Sequence, residues 1–188
     1  MIRLALALLI SVWPLRLLPG QDSSDTNAYH QELFWFGAGI GSGGYQGSSL
    51  LTLEANLTYR TGHHVFTARA IGAGSFGGEG GSEVDSGAVT DWGEIGLLYG
   101  RGTTVGIALV SGAIGLGWTE TTRSPATSFD NPRVTRQISI PLEAQLTVAP
   151  LRFLGLGFYA GGSVSTHGFD WAFLLHAQLG ALRPNVGQ

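Results

Sequence analysis

Five ionisable side chains stand out by placement: Glu54, Arg69, Glu94, Glu143 and His176. Each lies on the polar or small-residue side of a stretch whose other side is apolar. In "LTLEANLTYR", Leu51, Leu53, Ala55, Leu57 and Tyr59 share one face, and Thr52, Glu54, Asn56, Thr58 and Arg60 share the other. That period of two is a β-strand's. Three carboxylates, a guanidinium and an imidazole at similar depth could form an ion-pair network, a proton relay, a gated pore or a catalytic dyad. Enclosure makes unpaired charge expensive. The expected arrangement is therefore a closed network in which Arg69 bridges two Glu, with His176 protonated or one Glu neutral. Asn56, Thr67, Gln145 and Gln178 would complete the hydrogen bonds, and inward Gly96, Gly155 and Gly157 would make room.

Other candidate chemistry is thinner. "STHGFD" brings Ser165, His167 and Asp170 close together, and Ser, His and acid can form a hydrolytic triad; the expected role is turn formation. His63 and His64 are adjacent, so on a strand their side chains diverge and do not form a two-His metal site. The loop Ser75–Asp91 carries Glu79, Glu83, Asp85 and Asp91 without a base, and its spacing fits no calcium motif. It reads as a solvated surface loop, and Asp130-Asn131-Pro132 as a turn. No cysteine is present, which removes disulfides, thiolate zinc sites and thiol catalysis. With a net charge of −3 and no basic run, nothing points to nucleic acid. No metal or cofactor is expected.

The elements that must hold these residues are strands. The 188 residues suffice for one domain, with 30 Gly and only 12% charged residues, against about 25% in ordinary soluble domains. All ten basic residues are Arg. Arg3 followed by the apolar run Leu4–Trp13 reads as an export signal, interrupted by Pro14 and Arg16 before the roughly 20 apolar residues a spanning helix needs. The expected division is a signal peptide over 1–20, a polar periplasmic lead over 21–32, a barrel over 33–183 and a tail over 184–188. Eight strand-like pieces follow the lead: Leu33–Gly41, Ser49–Arg60, His64–Gly74, Trp92–Gly100, Thr104–Trp118, Gln137–Val148, Arg152–Val164 and Phe169–Leu182. Their connections alternate between tight turns ("TGHH", "GRGT", "APLR") and longer loops, so short turns gather at one end with both termini. Pro141 interrupts a strand and marks a bulge or a weak point.

Strand count, alternation and loop sorting resemble the small eight-stranded outer-membrane β-barrels, such as the transmembrane domain of outer membrane protein A and outer membrane protein X. The resemblance covers Leu33 to about Leu182 and rests on architecture. It implies an antiparallel up-and-down barrel with leucines out and Glu54 in. It also implies a bacterial outer-membrane location, lipopolysaccharide and the barrel assembly machinery as partners, a monomer, and a structural or surface-interaction role without catalysis. The chain ends "ALRPNVGQ", without the terminal aromatic common in such barrels. An aromatic girdle is expected from Trp92, Trp118 and Trp171 at the loop end and Tyr59, Tyr99 and Phe153 at the turn end. Two alternatives stand beside this reading. A soluble or periplasmic lipocalin-like barrel would hold an apolar ligand and turn Leu51, Leu53 and Leu57 inward. A small lipid-modifying barrel enzyme would use Ser165 and His167.

Overall fold

The computed structural model describes residues 32–45, 49–74, 89–123, 133–166 and 168–182. Eight strands run β1 (Glu32–Tyr45), β2 (Leu50–Thr61), β3 (His64–Gly74), β4 (Val89–Val105), β5 (Ala108–Arg123), β6 (Arg133–Val148), β7 (Leu154–Ser165) and β8 (Gly168–Gly180). Each pairs antiparallel with its neighbours in sequence, and β8 pairs with β1 to close the barrel. Closure leaves no sheet edge.

The pleat sorts the side chains. Leu51, Leu53 and Leu57 are 43%, 47% and 45% exposed on the outer wall, while Glu54 on the intervening face is 4% exposed. The lipocalin-like alternative required the opposite orientation and is excluded by it. The same outward display of large apolar side chains continues on every other strand, for example Phe36, Phe66, Leu97, Leu116, Ile138, Phe158 and Leu175. On β5, whose two apolar faces hid the register from sequence reading, Val110, Ile114, Leu116 and Trp118 face out. Ser111 and Thr119 face the lumen.

The ladder also fixes the barrel's slant. Starting at Gln137 on β6, the inward row of partners runs through Thr119, Glu94, Ile71, Glu54, Gly39, His176 and Gly157. It returns to β6 at Thr147, ten residues further along the strand. A stagger of ten over eight strands tilts them by about 40° from the barrel axis, within the usual range.

Several predicted boundaries move. The β4–β5 turn lies at Gly106–Ile107 instead of "GRGT", because the ladder continues from Arg101 opposite Gly112 to Val105 opposite Ala108. Thr103, Thr104 and Val105 favour extension, and the turn waits for Gly106, whose φ of 62° suits glycine. Gly62 (φ 58°) plays the same part in the β2–β3 turn. Toward the long loops β5 reaches Arg123 and β6 begins at Arg133, so part of the expected loop is strand.

Pro141 makes no bulge. The β5–β6 register is the same on both sides of it, but Gly115 and Leu116 lose their ladder partners Pro141 and Ile140. A single missing N–H accounts for this, since both pairings depend on the bond that Pro141 has no hydrogen to make. The predicted signal peptide, the lead up to residue 31, the acidic loop 75–88, the Asp130-Asn131-Pro132 turn and the tail from 183 lie outside the described residues.

Candidate functional site

The lumen contains a polar layer between two apolar ones. Toward the short turns Leu33, Trp35, Leu109, Ala149 and Leu182 pack together. Toward the long loops Tyr45, Ile71, Ala73, Trp92, Tyr159, Ala172 and Leu174 do so. Leu182 follows the end of β8 and is held by its N–H donating to the Arg152 carbonyl at 3.0 Å.

Arg69 and Glu94 form a buried ion pair, and Nη1 of the same guanidinium donates to the Tyr159 hydroxyl and, at 3.4 Å, to the Leu142 carbonyl. Glu143 Oε2 lies 3.8 Å from Arg69. Glu94 also accepts from Ser139 Oγ at 2.7 Å and Thr119 Oγ1 at 3.2 Å. On the opposite wall His176 Nε2 is 3.2 Å from Glu54 Oε2, and Asn56 Nδ2 donates to Glu54 Oε1 at 2.6 Å. The two halves are joined through amides: Gln145 Nε2 donates to Glu143 at 3.1 Å, and Gln178 Nε2 donates to Gln145 at 2.8 Å and lies 3.5 Å from His176 Nδ1. All eight lumen residues singled out from sequence (Glu54, Asn56, Arg69, Glu94, Glu143, Gln145, His176 and Gln178) are buried here. Thr67 instead pairs with Thr58 at 3.2 Å. Counting from turns placed Glu94 by a turn that lies elsewhere; what joins it to Glu54 is the shared ladder row through Ile71.

The room for these groups comes from glycine. A Cβ on Gly37 would collide with the His176 ring and Asn56 Oδ1, and one on Gly117 would crowd Ser139 and Glu94. Gly37, Gly39, Gly41 and Gly43 line the inward face of β1 above Trp35, so β1 offers a bare wall to side chains reaching across from β2 and β8.

Sequence reading left Tyr159, Thr119 and Ser139 out of the network and weighed Asp170 only as a partner of Ser165 and His167. Two were legible by parity, since Tyr159 shares its face with Gly155 and Gly157, and Ser139 with Glu143; Thr119 lies on β5, whose register hydropathy does not reveal. Asp170 is buried and accepts from Ser163. Ser165 accepts from Gln137 Nε2 at 2.8 Å and donates to the Gly168 carbonyl at 3.0 Å, a turn contact. His167 lies outside the described residues.

The expected girdle needs one correction. Trp92 is 3% exposed and sits inside, paired with Ala73 and Thr121. It is two residues from Glu94, and residues two apart share a face. Trp118 faces outward, five residues short of the end of β5. Trp171 faces outward against Phe173, with ring centroids 5.7 Å apart. Tyr99 and Phe153 are exposed near the short turns, and Tyr59 is half-buried there.

An apolar outer wall, a charged and filled lumen and sequential closure define the class: a small eight-stranded antiparallel β-barrel of the outer-membrane type. Solved structures carry the same fold. The N-terminal β-barrel domain of Pseudomonas aeruginosa OprF is similar with a TM-score of 0.57 at 10% identity, over 80% of this chain and 98% of its own. Neisserial surface protein A gives 0.57 at 7%, over 79% and 96%. Ail, the attachment invasion locus protein of Yersinia pestis, solved with the heparin analogue sucrose octasulfate, gives 0.54 at 12%, over 79% and 96%. No family model and no curated protein matches the sequence.

Proposed function

We propose that the protein resides in a bacterial outer membrane as a monomeric, non-catalytic barrel with a plugged lumen, serving a structural or surface-interaction role through its long loops. The observation that carries the plug is the cross-linked layer of Arg69, Glu94, Glu143, Glu54 and His176, closed above and below by apolar clusters. An eight-stranded barrel is just wide enough for its own side chains to fill. The membrane location is supported by the outer wall: a continuous apolar surface of this extent is far larger than the few hundred Å² a soluble monomer tolerates. Export through the N-terminal segment and insertion by the barrel assembly machinery belong to the same reading. Lipopolysaccharide is the proposed lipid partner at the loop end. There Arg136, paired with Glu120 at 2.7 Å, stands on the outer wall one outward step above Trp118 and Ile138, placed to meet phosphates at headgroup level.

The test is fractionation followed by reconstitution. The protein should require detergent for extraction from outer membranes, migrate differently on gels before and after heating, and leave planar bilayers without steady conductance. Steady ohmic conductance from the intact barrel would refute the plug, and solubility without detergent would refute the membrane location.

A further inference from the structure

Two unrelated features of the outer wall meet on one ladder row. The first is cationic. Arg101 on β4 is exposed and pairs across the ladder with exposed His64 on β3. His64 Nδ1 lies 2.7 Å from the Tyr99 hydroxyl, and the two rings stack at 5.9 Å. Tyr99 continues into Phe66 at 5.2 Å, and Phe66 into Tyr59 at 6.4 Å. Among the described residues no carboxylate forms an ion pair with Arg101. Glu32, at the far end of the same row, is turned to the Tyr59 hydroxyl.

The second feature is apolar. Beyond Arg101 the outward row continues through Gly112, Ala144 and Ala160, none with a side chain larger than methyl. At Ala144 and Ala160 it opens into a groove of about 530 Å³ walled by Val110, Leu146, Phe158 and Phe173. The strands' tilt makes the row climb. His64 opens β3 and Arg101 lies four residues from the end of β4, whereas Ala160 is six residues into β7. The cation therefore lies near the short turns and the groove deeper in the apolar belt.

We propose that Arg101, His64 and Tyr99 hold the phosphate of an anionic phospholipid in the leaflet beside the short turns, with one acyl chain laid along the Ala144–Ala160 groove. This rests on the membrane location proposed above. The occupant follows from the order of the two parts: an uncompensated guanidinium flanked by hydrogen-bonding rings at the interface, then an apolar channel rising from it. A phosphate is an anion whose oxygens the guanidinium fork matches bidentately, and aromatic rings suit the headgroup level.

The experiment uses the full chain, extracted from membranes in an uncharged detergent and titrated with phosphatidylglycerol or phosphatidylcholine under native mass spectrometry. The wild type should retain one phosphatidylglycerol in preference to phosphatidylcholine. Arg101→Gln and Ala160→Phe should each weaken that retention at least about tenfold, while Arg133→Gln, at the opposite end, should not. Heat-modifiable gel migration confirms that each variant is folded. Unchanged retention in both Arg101→Gln and Ala160→Phe, or equal retention of the two lipids, would overturn the proposal. So would a second protein copy lost on Ala160→Phe. Recovery of soluble chain without detergent would overturn the membrane location instead.

Discussion

Removing Arg69 should be the most damaging conservative change in the lumen. Arg69→Met keeps the aliphatic stem but leaves Glu94, with no accessible side-chain surface, facing only hydroxyl donors, and takes away the cation 3.8 Å from Glu143. Breaking a buried pair by deleting one partner costs about 3–5 kcal/mol. With a urea slope of about 2 kcal/mol per molar, the unfolding midpoint in lipid vesicles should fall by about 2 M, followed by tryptophan fluorescence and gel migration. Glu94→Gln should cost less, about 1–3 kcal/mol, because Arg69 keeps Glu143 nearby and the amide can still meet Ser139 and Thr119. The double variant should then be more stable than the sum of the two losses predicts, by at least about 1–2 kcal/mol. If Arg69→Met lies within about 1 kcal/mol of wild type, or if the two losses simply add, the layer does not act as one unit and the reasoning fails.

Three further outcomes follow from the geometry. Gly37→Val should destabilise by about 1–3 kcal/mol through overpacking against His176 and Asn56, measured by the same unfolding; wild-type stability would show that the lumen can yield there. Pro141→Val restores an N–H opposite Gly115, so hydrogen exchange should find the new amide protected, and rapid exchange would mean the strands are splayed for another reason. In single-tryptophan variants, brominated acyl chains should quench Trp118 but spare Trp92 and Trp35; quenching of Trp92 would contradict its inward orientation.

The eight strands were readable wherever one face was apolar and the other polar, as in Leu51–Arg60, because period two is a property of the backbone and needs no partner. β5 resisted because Val110, Ile114 and Leu116 face out while Leu109 and a run of small residues face in, so hydropathy does not alternate. The β4–β5 turn was misplaced because "GRGT" contains glycines that serve extended backbone, and only the register with β5 distinguishes them from Gly106. The charge layer was legible as a set of inward residues with Arg69 between two carboxylates, but not which carboxylates those are. The pairings depend on which strands lie side by side and on the slant of the closed sheet. Trp92 shows local and global rules in conflict: position near a loop suggested a girdle, while parity with Glu94 required the interior, and parity prevailed. Tyr159 was passed over as an ordinary member of a glycine-rich face, although it is the hydroxyl that Arg69 reaches.

The bare inward wall of β1 has a consequence for how the barrel recognises its own correct closure. His176 of β8 and Asn56 of β2 meet over Gly37, with 3.2 Å between their nitrogens, so the outer two strands clasp the one between them. Sheets that slip by two residues keep their faces and lose little hydropathy, which makes such errors hard to reject by burial alone. Here a two-residue slip of β1 in one direction would bring the Trp35 indole to the place that Gly37 leaves empty, and the clasp could not shut. The joint that makes the sheet a cylinder thus carries its own alignment key, cut in glycine.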